Sequence, residues 1–128
     1  MSFKLACIDI GLKRIGMAVC LHGDIVTPQE AILRKNRNQA AREVNAFLKE
    51  WEIDKLIVGL PSASEDMQKR IAHFVNLLEL HIPYEFQEEN MSSIEAEDLM
   101  KGEIKYKRDG RVDSIAAKII LERFLAKR

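Results

Sequence analysis

The sequence predicts an α/β fold, a mixed central sheet flanked by helices, and three observations carry that expectation. Apolar runs of strand length alternate with segments of helical periodicity. The first two runs are separated by one tight turn, as in an antiparallel hairpin. A later run is apolar without alternation, as in a parallel strand buried on both faces. With 128 residues, 47% of them hydrophobic, the chain has length for one domain with its own core, expected to span residues 1–128.

The elements follow in chain order. KLACIDI (4–10) and RIGMAVCL (14–21) read as the hairpin, with its turn at GLKR, and a third, short strand starts near Ile25. Between Asn38 and Trp51 apolar residues at Ala40, Ala41, Val44, Phe47, Leu48 and Trp51 give helical spacing. KLIVGLP (55–61) is the continuous apolar run, closed by Gly59 and Pro61. Ser62 and Glu65 form a capping box for a second helix whose inward stripe is Met67, Ile71, Phe74, Val75 and Leu78, ended by Pro83. PYEFQEE (83–89) alternates as another strand. Ser92 and Glu95 then cap a helix to about Lys101, and KGEIKYKRDGR (101–111) reads as a mobile loop. A last helix turns Val112, Ile115, Ala116, Ile119, Ile120 and Phe124 inward.

Composition excludes several classes of function. Twenty Lys and Arg balance twenty Asp and Glu, which argues against a general polyanion-coating protein. No stretch suits a signal peptide or a bilayer span, so no membrane partner is expected. Cys7 and Cys20 lack CxxC spacing, which fits a reduced, cytoplasmic protein. Charge is nevertheless segregated. Between Tyr84 and Met100 every charged residue is acidic, whereas from Lys101 onward nine basic residues face four acidic ones. An acidic block beside a basic tail suits metal held next to a phosphate-binding surface, and equally suits solvated helix faces.

Asp9 ends the first strand in a run otherwise apolar from Leu5 to Ile10, where a carboxylate needs a partner. Asp before a turn also caps its own backbone, so a turn role stands beside the chemical one. Glu89 ends a different strand and Asp113 lies in the first turn of the last helix. All three carboxylates can converge at one end of the sheet. Carboxylates are hard ligands for Mg²⁺ or Mn²⁺, and a pair of such ions about 3.5–4 Å apart can stabilise both the attacking and the leaving oxygen of a phosphodiester. No Ser-His-Asp or Cys-His pattern competes, and His22, His73 and His81 have no metal-ligand spacing.

DIGLKRIGMAV (9–19), VGLP (58–61), EENMSSIEAE (88–97) and RVDSIAA (111–117) together resemble the YqgF/RuvX family, Holliday-junction-resolvase-like proteins regarded as pre-16S rRNA nucleases. The resemblance runs over nearly the whole chain. It implies an RNase H-like fold, trimming of the 5′ end of precursor small-subunit rRNA, and a metal site on Asp9, Glu89 and Asp113. Lys13 and Arg14 match the basic pair of the first block and are expected at the phosphate backbone, with solvated turn cations as the plain alternative. Ser92 and Ser93 stand where the family shows paired threonines, as helix caps with phosphate contact as a second role. Lys107, Arg108 and Arg111 in the basic loop are further candidates for nucleic-acid binding. Two departures stand out. The family's Asp-Glu-Arg is here Glu88, Glu89 and Asn90, and its glycine-containing loop after VGLP is SASEDMQKR. A one-residue slip would make Glu88 the ligand instead of Glu89. A four-way-DNA endonuclease, or a ribosome-assembly factor that binds RNA without cutting, are the competing readings, for a monomer or a homodimer.

Overall fold

The computed structural model describes residues 3–127 except 89–110, with residues 111–113 described by backbone alone. In chain order the described elements are β1 (Leu5–Ile10), β2 (Arg14–His22), β3 (Ile25–Leu33), α1 (Arg37–Glu50), β4 (Lys55–Leu60), α2 (Glu65–Leu78), β5 (Tyr84–Glu88) and α3 (Arg111–Ala126). Among these residues the strands form one sheet in the order β3-β2-β1-β4-β5. β1 pairs antiparallel with β2 and parallel with β4, and β4 pairs parallel with β5, so the sheet is mixed as expected.

The hairpin turn closes where the sequence put it. The Gly11 amide donates to the Arg14 carbonyl at 2.9 Å. A Cβ on Gly11 would meet that same oxygen at 2.8 Å, so only glycine fits. Alternation then sorts β1 between two cores. Ala6, Ile8 and Ile10 face α1 and α2, with Ile15, Met17, Val44, Leu56, Val58, Ile71 and Phe74. Leu5 and Cys7 face α3, with Ala18, Cys20, Ile57, Ala117, Ile120, Leu121 and Phe124. Because β1 and β4 are covered on both sides, their sequences are apolar without alternation.

Four readings are corrected in detail. β3 is nine residues long instead of short. It runs along the sheet edge with most residues at least partly exposed, so neither alternation nor an apolar run marks it, and Pro28 is tolerated there. Gly59 does not close β4 but lies inside it, paired with Gln87. Helix α2 is capped by Ser64, whose hydroxyl accepts from the Met67 amide at 3.3 Å, in place of the Ser62–Glu65 box. Met67 stands at the third helical position and cannot reciprocate, so the cap is one-sided. The helix also ends before Pro83, at Glu79 in the left-handed region with φ 51°. Ser64→Ala is expected to lower unfolding free energy by about 1 kcal/mol in urea titration, the cost of one lost cap. An unchanged midpoint would refute that assignment.

Helix α1 carries a complete capping box that the sequence reading passed over. Asn36 accepts from the Gln39 amide at 2.7 Å, and Gln39 Oε1 accepts from the Asn36 amide at 3.3 Å and the Lys35 amide at 2.8 Å. Gln39 Nε2 also donates to the Leu33 carbonyl at 3.0 Å, clipping the end of β3 to the start of α1. The expected helix after Ser92 and the loop 101–111 lie outside the described residues. In α3, Ala116, Ile119, Ile120 and Phe124 are buried as expected, and Ala117, Leu121 and Ser114 are buried too. Ile115 is only partly buried.

Candidate metal centre and nucleic-acid interface

Asp9 is buried, 9% exposed, next to last in the central strand. Sharing the alternation of Leu5 and Cys7, it lies on the α3 face. Its antiparallel partner across the sheet is Gly16. On the other side, Ile8 pairs with Val58, so the residue next to Asp9 on β4 is Gly59. The carboxylate therefore stands in a notch between two residues without side chains.

Helix α3 begins beside this notch. The Ser114 hydroxyl, fully buried, accepts from the Met17 amide at 3.3 Å. Met17 adjoins Gly16, so the first turn of α3, which includes Asp113, is tied to the end of the hairpin that carries Asp9. Glu88 is placed differently. It pairs with Leu60, whose side chain packs in the α1/α2 core, so Glu88 stands on the face away from Asp9. Glu89, Ser92, Ser93, Lys107 and Arg108 lie outside the described residues, as do the side chains of Arg111 and Asp113. Among the described residues no three potential ligands form a metal cluster.

One further polar group was missed in the sequence. Gln87 is buried on β5 at the level of Gly59, and its Oε1 accepts no hydrogen bond among the described residues. It lies two strands from Asp9, about 10 Å away, with only Gly59 between. An orphaned acceptor costs about 1–3 kcal/mol, so a bound group that satisfies it would be favoured. Local spacing hid it: the apolar phase of this alternating strand is Tyr84 and Phe86, which stand exposed, while Gln87 shares the polar phase of Glu85. The Asp9 carboxylate is a hard oxygen ligand of the kind Mg²⁺ or Mn²⁺ prefers, and Gln87 lies on the same face of the sheet two strands away. Lys13 is exposed at the hairpin turn, and Arg14, half-buried, shares the face of Gly16 and Asp9. The three histidines are exposed, and His73 meets Arg37.

Known proteins resemble the chain in sequence and in fold. Residues 3–127 match the family model described as RuvX, Holliday junction resolvase. The chain belongs to the RuvX family. A Sulfurovum relative of this RuvX-family chain, named "Putative pre-16S rRNA nuclease", is 64% identical over 96% of the chain and 98% of its own length. A relative from Sulfurimonas denitrificans with the same name is 54% identical over 95% of the chain and 96% of its own. Among solved structures, T. thermophilus RuvC in complex with Holliday junction substrate superposes with a TM-score of 0.62 at 14% identity, covering 98% of this chain and 95% of that one. The fowlpox virus Holliday junction resolvase gives 0.60 at 15% identity, over 97% and 98%. At such identity these two establish the RuvX chain's fold, which is that of the RuvC-like resolvases.

Proposed function

We propose that the chain is a metal-dependent nuclease that hydrolyses phosphodiester bonds in the 5′ extension of precursor 16S rRNA. The observation that carries this reading is the placement of Asp9, buried in the central strand between Gly16 and Gly59 and facing the first turn of α3. Family membership and the names of close relatives support the reaction and the substrate.

Asp9, Glu89 and Asp113 would hold Mg²⁺ or Mn²⁺, and Glu88's position on the opposite face favours Glu89 as the strand-end ligand. When bound, the metal supplies a water of lowered pKa and neutralises charge on the leaving oxygen. The chain's own residues do the rest. Gly16 and Gly59 keep side chains out of the notch, and the Ser114 contact fixes where α3 starts. Gln87 Oε1 offers an acceptor to a substrate hydroxyl or to metal-held water. Lys13 and Arg14, with Lys107, Arg108 and Arg111, would meet phosphates, and Ser92 and Ser93 would cap the helix they precede. Cys7 and Cys20 are buried thiols, which fits work in a reducing cytoplasm. No described helix is long and apolar enough to cross a membrane.

The test is Mn²⁺-dependent cleavage of a 5′-extended small-subunit rRNA fragment, with a four-way DNA junction alongside. RNA cleavage with an intact junction supports the proposal. Cleavage of the junction alone would replace the substrate with DNA, the reading the RuvC likeness favours. Folded protein that binds the RNA yet cuts neither would make it an assembly factor.

Gln87 gives an independent check. Gln87→Met removes the orphaned acceptor, so stability should rise by about 1 kcal/mol in urea titration, while cleavage should fall about tenfold. Full activity would remove Gln87 from the site.

A further inference from the structure

The sheet end that carries Asp9 also carries a second feature, on the α1/α2 face. Arg34 at the end of β3, Arg37 at the start of α1, and Lys69, Arg70 and His73 of α2 line a groove of about 460 Å³ beside the hairpin turn. A smaller hollow of about 320 Å³ continues it past Arg37 and His73. Among the described residues no Asp or Glu lines either one. Among the described residues, no carboxylate forms an ion pair with these four cations. In a chain with equal numbers of acids and bases, such a grouping is a local imbalance.

The grouping works against the free protein. Arg34 is held below the ordinary arginine range by burial first, and then by repulsion from Arg37 and Arg70. Arg37 stands at the positive end of the α1 dipole, whose first turn holds no acidic residue. A polyanion would relieve both strains. The groove is also built in advance. Arg34 Nη1 donates to the Gly11 carbonyl at 2.7 Å and its guanidinium lies 5.4 Å from the centre of the Phe74 ring. Arg37 Nη1 meets His73 Nε2 at 3.1 Å. A guanidinium can only donate, so Nε2 is the acceptor in this contact. Leu12, 65% exposed, adds apolar surface of the kind a sugar or base covers.

We propose that this groove binds the phosphodiester backbone of the nucleic acid beyond the bond that is cut. The anion chemistry stands on the groove itself, while the link to a cut bond rests on the nuclease reading above. Gly11, which Arg34 grips, is two residues from Asp9, about 7 Å of extended chain. A strand leaving Asp9 on the α3 face would cross the turn, past Lys13 and Arg14, and descend into the groove on the other face.

The test measures binding of the 5′-extended rRNA fragment in EDTA, where no turnover occurs, for three proteins over a range of salt. They are the unaltered chain, Arg37→Ala/Arg70→Ala, and the charge-matched control Arg42→Ala/Lys49→Ala. All four residues are exposed, so each variant should fold. The groove variant should bind at least about tenfold more weakly, and its salt slope should fall by about 1.4–1.8, two phosphate contacts at about 0.7–0.9 each. The control should keep affinity and slope. Equal losses in both variants, or none in the groove variant, would overturn the groove. The nuclease reading fails separately, if the unaltered chain cuts nothing with Mn²⁺.

Discussion

Asp9→Asn is expected to abolish Mn²⁺-dependent RNA cleavage, a fall of at least about 10³-fold, or about 4 kcal/mol of transition-state stabilisation. The exchange keeps size and shape while it removes the charge and turns one acceptor oxygen into a donor, in a site where the side chain is buried and both neighbours across the sheet are glycines. The fold should therefore persist. A second measurement separates chemistry from structure. Mn²⁺ that binds only the folded state raises thermal stability, by about 2.7 kcal/mol at a hundred times its dissociation constant, and the variant should lose most of that increment. Cleavage at the unaltered rate, or an undiminished response to Mn²⁺, would remove Asp9 from the centre.

Ile120→Ala should produce the largest loss of stability. Ile120 is fully buried where α3 packs on Leu5, Cys7, Ala18, Cys20 and Ile57. Three lost carbons and the cavity they leave cost about 2–5 kcal/mol, out of the roughly 5–15 kcal/mol that domains of this size possess. Ala18 and Cys20 are small residues inside strands and have little side chain with which to refill the space, so the upper half of that range is expected. Since the same helix carries Asp113 in its first turn, cleavage should weaken with stability. A midpoint shift below about 1 kcal/mol in urea would mean that α3 is not clamped as described.

The fold was legible wherever burial is two-sided or one-sided by a regular period. β1, β2 and β4, and the inward stripes of α1 and α2 apart from Met67, which is half-buried outside that core, fall where the apolar spacing placed them. β3 was underestimated because an edge strand has little to bury, and its residues carry no strong period. The caps were partly misread. Ser62 and Ser64 both precede acceptable helix starts, and only the backbone conformation at Ser64 decides between them. Asn36 and Gln39 have capping-box spacing and were legible, whereas the bond from Gln39 back to Leu33 is not revealed by spacing.

The site was legible in its carboxylates and not in its surroundings. Asp9 stands out as a charge in an apolar run. That Gly16 and Gly59 both flank it depends on pairings of β1 with two strands that lie far apart in sequence. The cationic groove was hidden for the same reason. Arg34 and Arg37 come from one end of α1, Lys69 and Arg70 from α2, and nothing in local spacing joins them.

The strand order has a consequence for how the molecule breathes. β1 is the innermost strand of the sheet, paired on both edges and covered on both faces. Its amides should exchange with solvent only on global unfolding, whereas those of the edge strands β3 and β5 should exchange through smaller openings. Asp9 thus rides on the last segment to open. Arg34 and Arg37 follow the edge strand β3 and sit on ground that gives way sooner. The protein pairs a stiff anvil with a compliant grip, so the grip can adapt to an irregular strand without disturbing the point of attack.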